Sequence, residues 1–358
     1  MKFIAYYLPQ FHRVPENDEW WEDGFTEWTF TRRAKPLFSE HYQPREPYRN
    51  RYYDLMDPSA RQKQADLARK YGIYGFCYYH YWFQGKRLLE KPFNEVLRSG
   101  QPDFPFCLSW ANHNWVKWNG VGESTKDRLL LHQDYGDESD WKQHFDYLLG
   151  CFQDPRYIRY QGKPIFVIYN AAGIPNCTER LAYWQRLAQE NGLKGIYFIE
   201  TINAFRDADV PGFEATIIFE PNYTMRLDLG PLKRYKRIKN PNAATRRALK
   251  LYDYDEVWRR ILERNVSRKG KEIIFGAFND WDNTPRRGFN GSMLKGASPE
   301  KFGAYLSAGI KKAKENYHSE FMFFNAWNEW GEGAYLEPDK KYGRRYLEEL
   351  KKAVDDNT

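Results

Sequence analysis

The sequence predicts an α/β fold: a single (β/α)8 TIM barrel with long loops after the first and sixth strands. Three observations predict it. Eight short runs of β-branched and aromatic residues punctuate the chain. Helix-like stretches separate most of them, which implies parallel strands joined by crossovers. Polar and aromatic residues gather just past each run, where such a barrel builds its active site. An open doubly wound sheet fits less well. It wants a glycine-rich turn after the first strand, and Leu8-Pro9-Gln10-Phe11-His12 stands there instead.

The strands expected, in order, are Phe3–Leu8, Ile73–Tyr79, Pro105–Trp110, Pro164–Tyr169, Gly195–Glu200, Glu214–Phe219, Glu272–Phe278 and Glu320–Asn325. Helical spacing of apolar residues marks Pro58–Tyr71, Trp141–Phe152, Thr178–Asn191, Asp255–Arg264, Pro299–Asn316 and Lys341–Val354. Tyr71-Gly72 and Asn191-Gly192 supply helix stops. The stretches Pro9–Pro58 and Pro221–Lys271 read as elaborations of the barrel. No Pro/Gly/Ser linker divides the chain, so residues 1–358 read as one domain.

Composition narrows the function. The 358 residues carry 55 Lys and Arg against 48 Asp and Glu, a formal net charge of +7. Aromatics make up 18% of the chain, which speaks against disorder. No apolar run reaches the roughly 20 residues that span a bilayer. Met1-Lys2-Phe3 leads straight into a strand, so a cytoplasmic location is expected. Cys77, Cys107, Cys151 and Cys177 form no CxxC pair and read as buried thiols. The positive charge is local. Lys233, Arg234, Lys236, Arg237, Lys239, Arg246, Arg247 and Lys250 have no acidic residue among them from Leu229 to Tyr252. Such a run reads first as a solvated face; the functional reading is contact with an acidic glycan, a lipid phosphate or a membrane surface. No nucleic-acid-binding signature accompanies it.

Candidate binding residues are those at and after each strand end. They are Tyr7, Gln10 and His12; Tyr79, His80 and Trp82; Trp110, Asn112, His113 and Trp115; Tyr169; Asn203; Glu220 and Tyr223; Trp281 and Asp282; Trp327 and Asn328. Sugar rings lay apolar faces on aromatics and present hydroxyls to amides and carboxylates, so this inventory suits a carbohydrate. The sharpest local feature is Asn328-Glu329-Trp330-Gly331-Glu332-Gly333. Two glutamates three apart both face the mouth if that segment turns like a helix. Glycosidic cleavage needs a proton donor and a second carboxylate. No metal site is expected, because the seven histidines show no ligand spacing, and no cofactor is expected either. Three DxD pairs, Asp207/Asp209, Asp253/Asp255 and Asp280/Asp282, keep a metal- and nucleotide-sugar-dependent transferase in view; only the last follows a strand.

Longer motifs carry a resemblance. Phe3 to His12, Glu16 to Trp21, Gly24 to Trp28, Gly75 to Phe83, Trp281 to Arg287 and Asn325 to Trp330 resemble the WbsX-like family. That family is related to glycoside hydrolase family 99, the endo-α-mannosidases, and is often described as lipopolysaccharide or capsule biosynthesis proteins. The resemblance implies a barrel acting on carbohydrate. It implies Glu329 as the base on the sugar 2-hydroxyl and Glu332 as general acid and then base. The 2-oxygen would attack the anomeric carbon, giving an anhydro-sugar and net retention. Where family members commonly carry a glutamate after the third strand, this chain has His113 in Ala111-Asn112-His113-Asn114-Trp115.

The function expected is therefore a retaining, endo-acting glycoside hydrolase or transglycosidase with catalytic Glu329 and Glu332. Its partner would be an oligo- or polysaccharide, acidic and lipid-linked forms included, with no nucleic acid and no membrane span. The alternatives are a nucleotide-sugar glycosyltransferase and a non-catalytic glycan-binding barrel.

Overall fold

A computed structural model describes residues 1–117, 128–203, 208–230, 235–241 and 248–357. Trp118, Asp207, Lys233, Arg234, Arg246 and Arg247 lie outside the described residues. The eight strands are β1 (Lys2–Tyr7), β2 (Gly75–His80), β3 (Phe106–Trp110), β4 (Lys163–Ile168), β5 (Tyr197–Ile202), β6 (Ala215–Ile218), β7 (Glu272–Phe278) and β8 (Phe321–Asn325). Each pairs in parallel with the next, and β8 pairs with β1, so the sheet closes into a (β/α)8 TIM barrel. A parallel sheet is covered on both faces. The strands are accordingly buried almost end to end, which is why they read as continuous apolar runs.

Seven helices pack outside: α1 (Pro58–Lys70), α2 (Lys91–Ser99), α3 (Glu138–Phe152), α4 (Cys177–Glu190), α5 (Tyr254–Glu263), α6 (Pro299–Lys312) and α7 (Arg345–Asp355). Side chains of Asp57, Asp137, Asp253 and Ser298 accept from backbone N–H groups at the starts of α1, α3, α5 and α6. Between β5 and β6 no helix occurs among the described residues. Long loops follow β1 and β6 as expected. The first carries the short helices Pro15–Trp20 and Glu27–Arg33. The second contributes strands Lys236–Lys239 and Ala248–Asp253, which join Ser292–Lys295 in a small sheet beside the barrel.

Aromatic rings fill the barrel just below its mouth. Tyr6 stacks on Tyr79 at 5.3 Å and meets Phe219 and Phe323 at 5.3 and 5.6 Å. Tyr169 stands against Phe219 at 5.1 Å. These rings plug the interior and form the floor of the cavity above. Among the described residues, no helix is long and apolar enough to cross a membrane.

Candidate active site

The segment after β8 is a tight hairpin. Asn328–Glu329 pairs antiparallel with Ala334–Tyr335, and Trp330–Glu332 forms a 3-10 turn between them. A 3-10 turn has about three residues per turn, so side chains at i and i+3 eclipse. This puts Glu329 and Glu332 on one side of the hairpin, and both line a cavity of about 440 Å³ at the barrel mouth. Gly333 ends the turn at φ +64°, a conformation that favours glycine. Trp330 stacks on Tyr335 at 3.8 Å behind the turn and donates its indole N–H to Glu337 Oε2 at 2.7 Å.

Arg286 joins this hairpin to the loops after β1 and β7. Its Nη2 lies 2.7 Å from Glu27 Oε1 and 2.9 Å from Glu329 Oε2. Its Nη1 lies 2.9 Å from Glu332 Oε1. One guanidinium thus serves three carboxylates. The approach is close because residue 331 has no side chain: a Cβ there would fall 1.9 Å from Glu27 Oε1. Burial raises the Glu329 carboxyl to about 8; Arg286 opposes the rise, and Glu332 and Glu27 add to it. Burial also raises Glu27 against the pull of Arg286. Burial disfavours the charge on Arg286, but the three carboxylates more than reverse this and hold it protonated. Glu332 is the more open of the hairpin pair, its side chain 26% exposed against 8% for Glu329.

Eight of the expected residues line this cavity: Gln10, Tyr79, His113, Trp115, Tyr169, Trp281, Glu329 and Glu332. Burial lowers the His113 imidazole to about 4, so it is neutral near pH 7. The others are placed differently, and each has a physical reason. Tyr7 follows inward Tyr6 on β1 and so points outward, donating to Gln64 of α1 at 2.6 Å. His80 likewise follows inward Tyr79. Its Nε2 faces His144 Nε2 at 2.8 Å behind the barrel wall, with burial lowering its pKa to about 3. Trp82 stacks on His144 and donates to Asp140 at 2.9 Å. Trp110 packs against Trp184 and His144 under the outer helices. His12 Nδ1 turns back to Pro9 O at 2.7 Å. Trp327 is fully buried against Phe76.

The asparagines act as staples between loops. Asn328 accepts from Leu8 N at 2.7 Å and donates to Leu8 O. Asn112 does the same to the Asn170 backbone, and Asn203 donates to Tyr169 O at 2.7 Å. Glu220 is paired with Arg264 at 2.6 Å, and the Arg264 guanidinium lies over the Tyr223 ring. Asp282 is fully buried and serves His41, Gln43 and Thr284.

Sequence reasoning assigned no role to Glu27, Arg226, Asn283, Arg286 and Arg287, all of which line the cavity; Tyr81 and Asn222, which also line it, stand at the expected ends of the second and sixth strands. Four of them sit in motifs already singled out: Glu27 in Gly24–Trp28, and Asn283, Arg286 and Arg287 in Trp281–Arg287. That was the available signal. A larger groove of about 690 Å³ runs along α1 on the outer face. Its buried carboxyl, Glu337, accepts from Tyr53, Gln64 and Trp330 and so holds the hairpin to α1. The mouth, where burial raises Glu329 beside Arg286, is the candidate active site.

Among the described residues, no group of His, Cys, Asp and Glu is placed to hold a metal ion. The described members of the DxD pairs are engaged. Asp280 and Asp282 face Arg45, Asp253 caps α5, Asp255 binds Lys301, and Asp209 binds Lys271.

Known proteins share this architecture. The fold resembles a family 99 glycoside hydrolase, an endo-α-mannosidase from Bacteroides thetaiotaomicron. The TM-score is 0.58 at 14% identity, over 99% of this chain and 96% of that one. A solved glycoside hydrolase-like protein aligns with TM-score 0.60 at 15% identity, over 98% and 93% of the two chains. Uncharacterized protein WxcX of Xanthomonas campestris pv. campestris, from strains B100 and ATCC 33913, is 33% identical over 356 residues. That alignment covers 98% of this chain, which spans about half the length of those relatives (49%). The family model described as "Glycosyltransferase WbsX" matches residues 3–350, and the chain belongs to that family.

Proposed function

We propose that the chain is a carbohydrate-active enzyme of the retaining glycoside hydrolase or transglycosidase type. Its substrate would be a bacterial surface polysaccharide cleaved internally, with residues 1–358 acting as one catalytic unit. The observation that carries this reading is the set of three glutamates about Arg286 at an aromatic-lined cavity. Two carboxyls of unlike protonation are what glycosidic cleavage requires.

The roles follow the resemblance. Glu329 takes the proton of the sugar 2-hydroxyl while that oxygen attacks the anomeric carbon. The glycosidic bond breaks, and Glu332 gives its proton to the leaving oxygen. Water or a sugar hydroxyl then opens the anhydro-sugar, losing its proton to Glu332 as Glu329 returns one to the 2-oxygen. In the resting site the extra proton belongs to Glu329, whose raised pKa makes it a strong base once ionised. Substrate binding must therefore shift the proton toward Glu332. Arg286 touches both and can hold whichever is ionised.

The family description favours a transferase as second reading. The same site serves it when a sugar hydroxyl replaces water. A glycan-hydrolysis screen with reducing-end detection tests the proposal, run on wild type, Glu329→Gln and Glu332→Gln with and without EDTA. Turnover that survives EDTA and is lost in both variants is the expected result. Nucleotide-sugar consumption abolished by EDTA, with no glycan cleaved, overturns it.

A further inference from the structure

The basic run expected from the sequence acquires a place in the structure. Strand Lys236–Lys239 pairs antiparallel with Ala248–Asp253, and the register sets Arg237 directly opposite Lys250. Like charges in that position repel. The Tyr235 ring takes both cations, at 5.5 Å from Arg237 and 5.7 Å from Lys250. No carboxylate of the described residues pairs with either, and the sequence offers none from Leu229 to Tyr252. Two exposed cations set against each other in this way leave room for an anion.

The small sheet is tied to the cavity wall. Lys250 is in register with Ser292 on the third strand. Ser292 Oγ accepts from the Trp281 indole at 3.2 Å, and its N–H donates to Asn283 at 2.8 Å. Trp281 and Asn283 both line the mouth. So does Arg226, on the turn Thr224–Asp228. Asp228 ties that turn to Arg260 and Arg264 at 2.7 Å, while no described carboxylate pairs with Arg226. Positive charge is therefore present both at the cavity wall and on the small sheet tied to it.

We propose that the ligand is an acidic polysaccharide, one carrying carboxylate groups along its chain. Arg226 meets a charged sugar inside the mouth, and Arg237 and Lys250 hold a further unit outside it. The inference rests on the glycosidase reading for the direction of the chain, but its binding prediction stands apart. A membrane surface would use the same charge; the presence of Arg226 in the cavity itself favours the glycan.

The test uses the full chain and the double variant Arg237→Gln/Lys250→Gln, whose side chains are exposed and outside the catalytic machinery. Binding is measured by calorimetry to oligogalacturonate, oligomannuronate and oligoglucuronate, and to the carboxyl-reduced neutral form of each. Anionic phosphatidylglycerol vesicles form a separate arm. At least one acidic oligosaccharide is expected to bind about tenfold or more tighter than its reduced form at low salt. That margin should shrink as salt rises and fall about tenfold in the double variant, with an unchanged melting temperature. Equal binding of acidic and reduced forms, no binding of any acidic form, or variant-sensitive binding to vesicles alone overturns the proposal. Cleavage of a neutral glycan at a rate the double variant does not alter sinks this inference and keeps the glycosidase. Variant-sensitive acidic binding without any cleavage does the reverse.

Discussion

Two acid–arginine clusters sit on either side of the segment 280–287, and they have opposite character. In one, Arg286 faces Glu27, Glu329 and Glu332, so carboxylates outnumber the cation. In the other, Asp280 and Asp282 face Arg45 and His41, and Asp282 also accepts from Gln43 and Thr284. Burial raises Asp282, but the His41 contact, Arg45 and Thr284 overcome it and bring the carboxyl down to about 2. Burial dominates at Glu329 and lifts it to about 8. Equal burial thus yields a spent carboxylate in one place and a proton store in the other. The balance of neighbouring charge decides which: Asp282 has Arg45 and His41 against it, whereas Glu329 shares one Arg286 with two other carboxylates.

That comparison can be broken experimentally. The largest effect belongs to Arg286→Gln. Without the cation, the buried Glu27 and Glu329 lose the charge that opposes their raised pKa values, and turnover of any cleaved glycan is expected to fall on the order of a thousandfold. Initial-rate measurements check it, and retention of rate would remove Arg286 from the site. Asp282→Asn is the mirror case. Breaking a buried pair typically costs about 3 kcal/mol, so its melting temperature should drop by several degrees while kcat per folded molecule stays within a few-fold. Gly331→Ala tests the close approach of Glu27. The added methyl displaces a carboxyl oxygen, and a ten- to hundredfold loss of kcat with little change in denaturant midpoint is expected.

The pH dependence of stability sharpens the same contrast. Burial lifts Glu337 to about 7 despite its donors, and Glu329 to about 8. Both carboxyls keep their protons longer in the native than in the unfolded chain. Their contribution is full below about pH 4.5 and is lost as pH rises through 7 and 8. For Glu337 the loss is on the order of 3 kcal/mol. Urea midpoints of wild type should fall across that window, and Glu337→Gln should flatten the curve. The smallest effect concerns His113. Already neutral above about pH 4, it should contribute no inflection near 6.5, so His113→Gln should leave the shape of the pH–rate profile unchanged.

The sequence announces the barrel well and the site unevenly. Glu272–Phe278 has the same ends in expectation and structure, and the other strands differ by one or two residues at most ends. A buried parallel strand is a continuous apolar run, and such runs are hard to mistake. Helix α2 went unexpected because it is only nine residues long, although Pro92 opens it and Phe93, Val96 and Leu97 recur at helical spacing. Glu329 and Glu332 were visible because a three-residue spacing is local. Glu27 and Arg286 meet across 259 positions of sequence, a distance that no spacing reports. The misplaced aromatics were legible in principle. Period-two alternation sends Tyr6 and Tyr79 inward, and it necessarily sends Tyr7 and His80 the other way.

The asparagine staples have a consequence for how such a mouth can change. Asn112, Asn203 and Asn328 each tie a loop to the backbone of a neighbouring strand end. A backbone carbonyl or N–H is present whatever side chain the neighbour carries. The loops are thereby anchored to addresses that substitution cannot erase. Loop contents can be rewritten, by descent or by a protein engineer, while the rim keeps its shape. Grafting a relative's loop with its asparagine retained should transplant specificity and leave the carboxylate centre undisturbed.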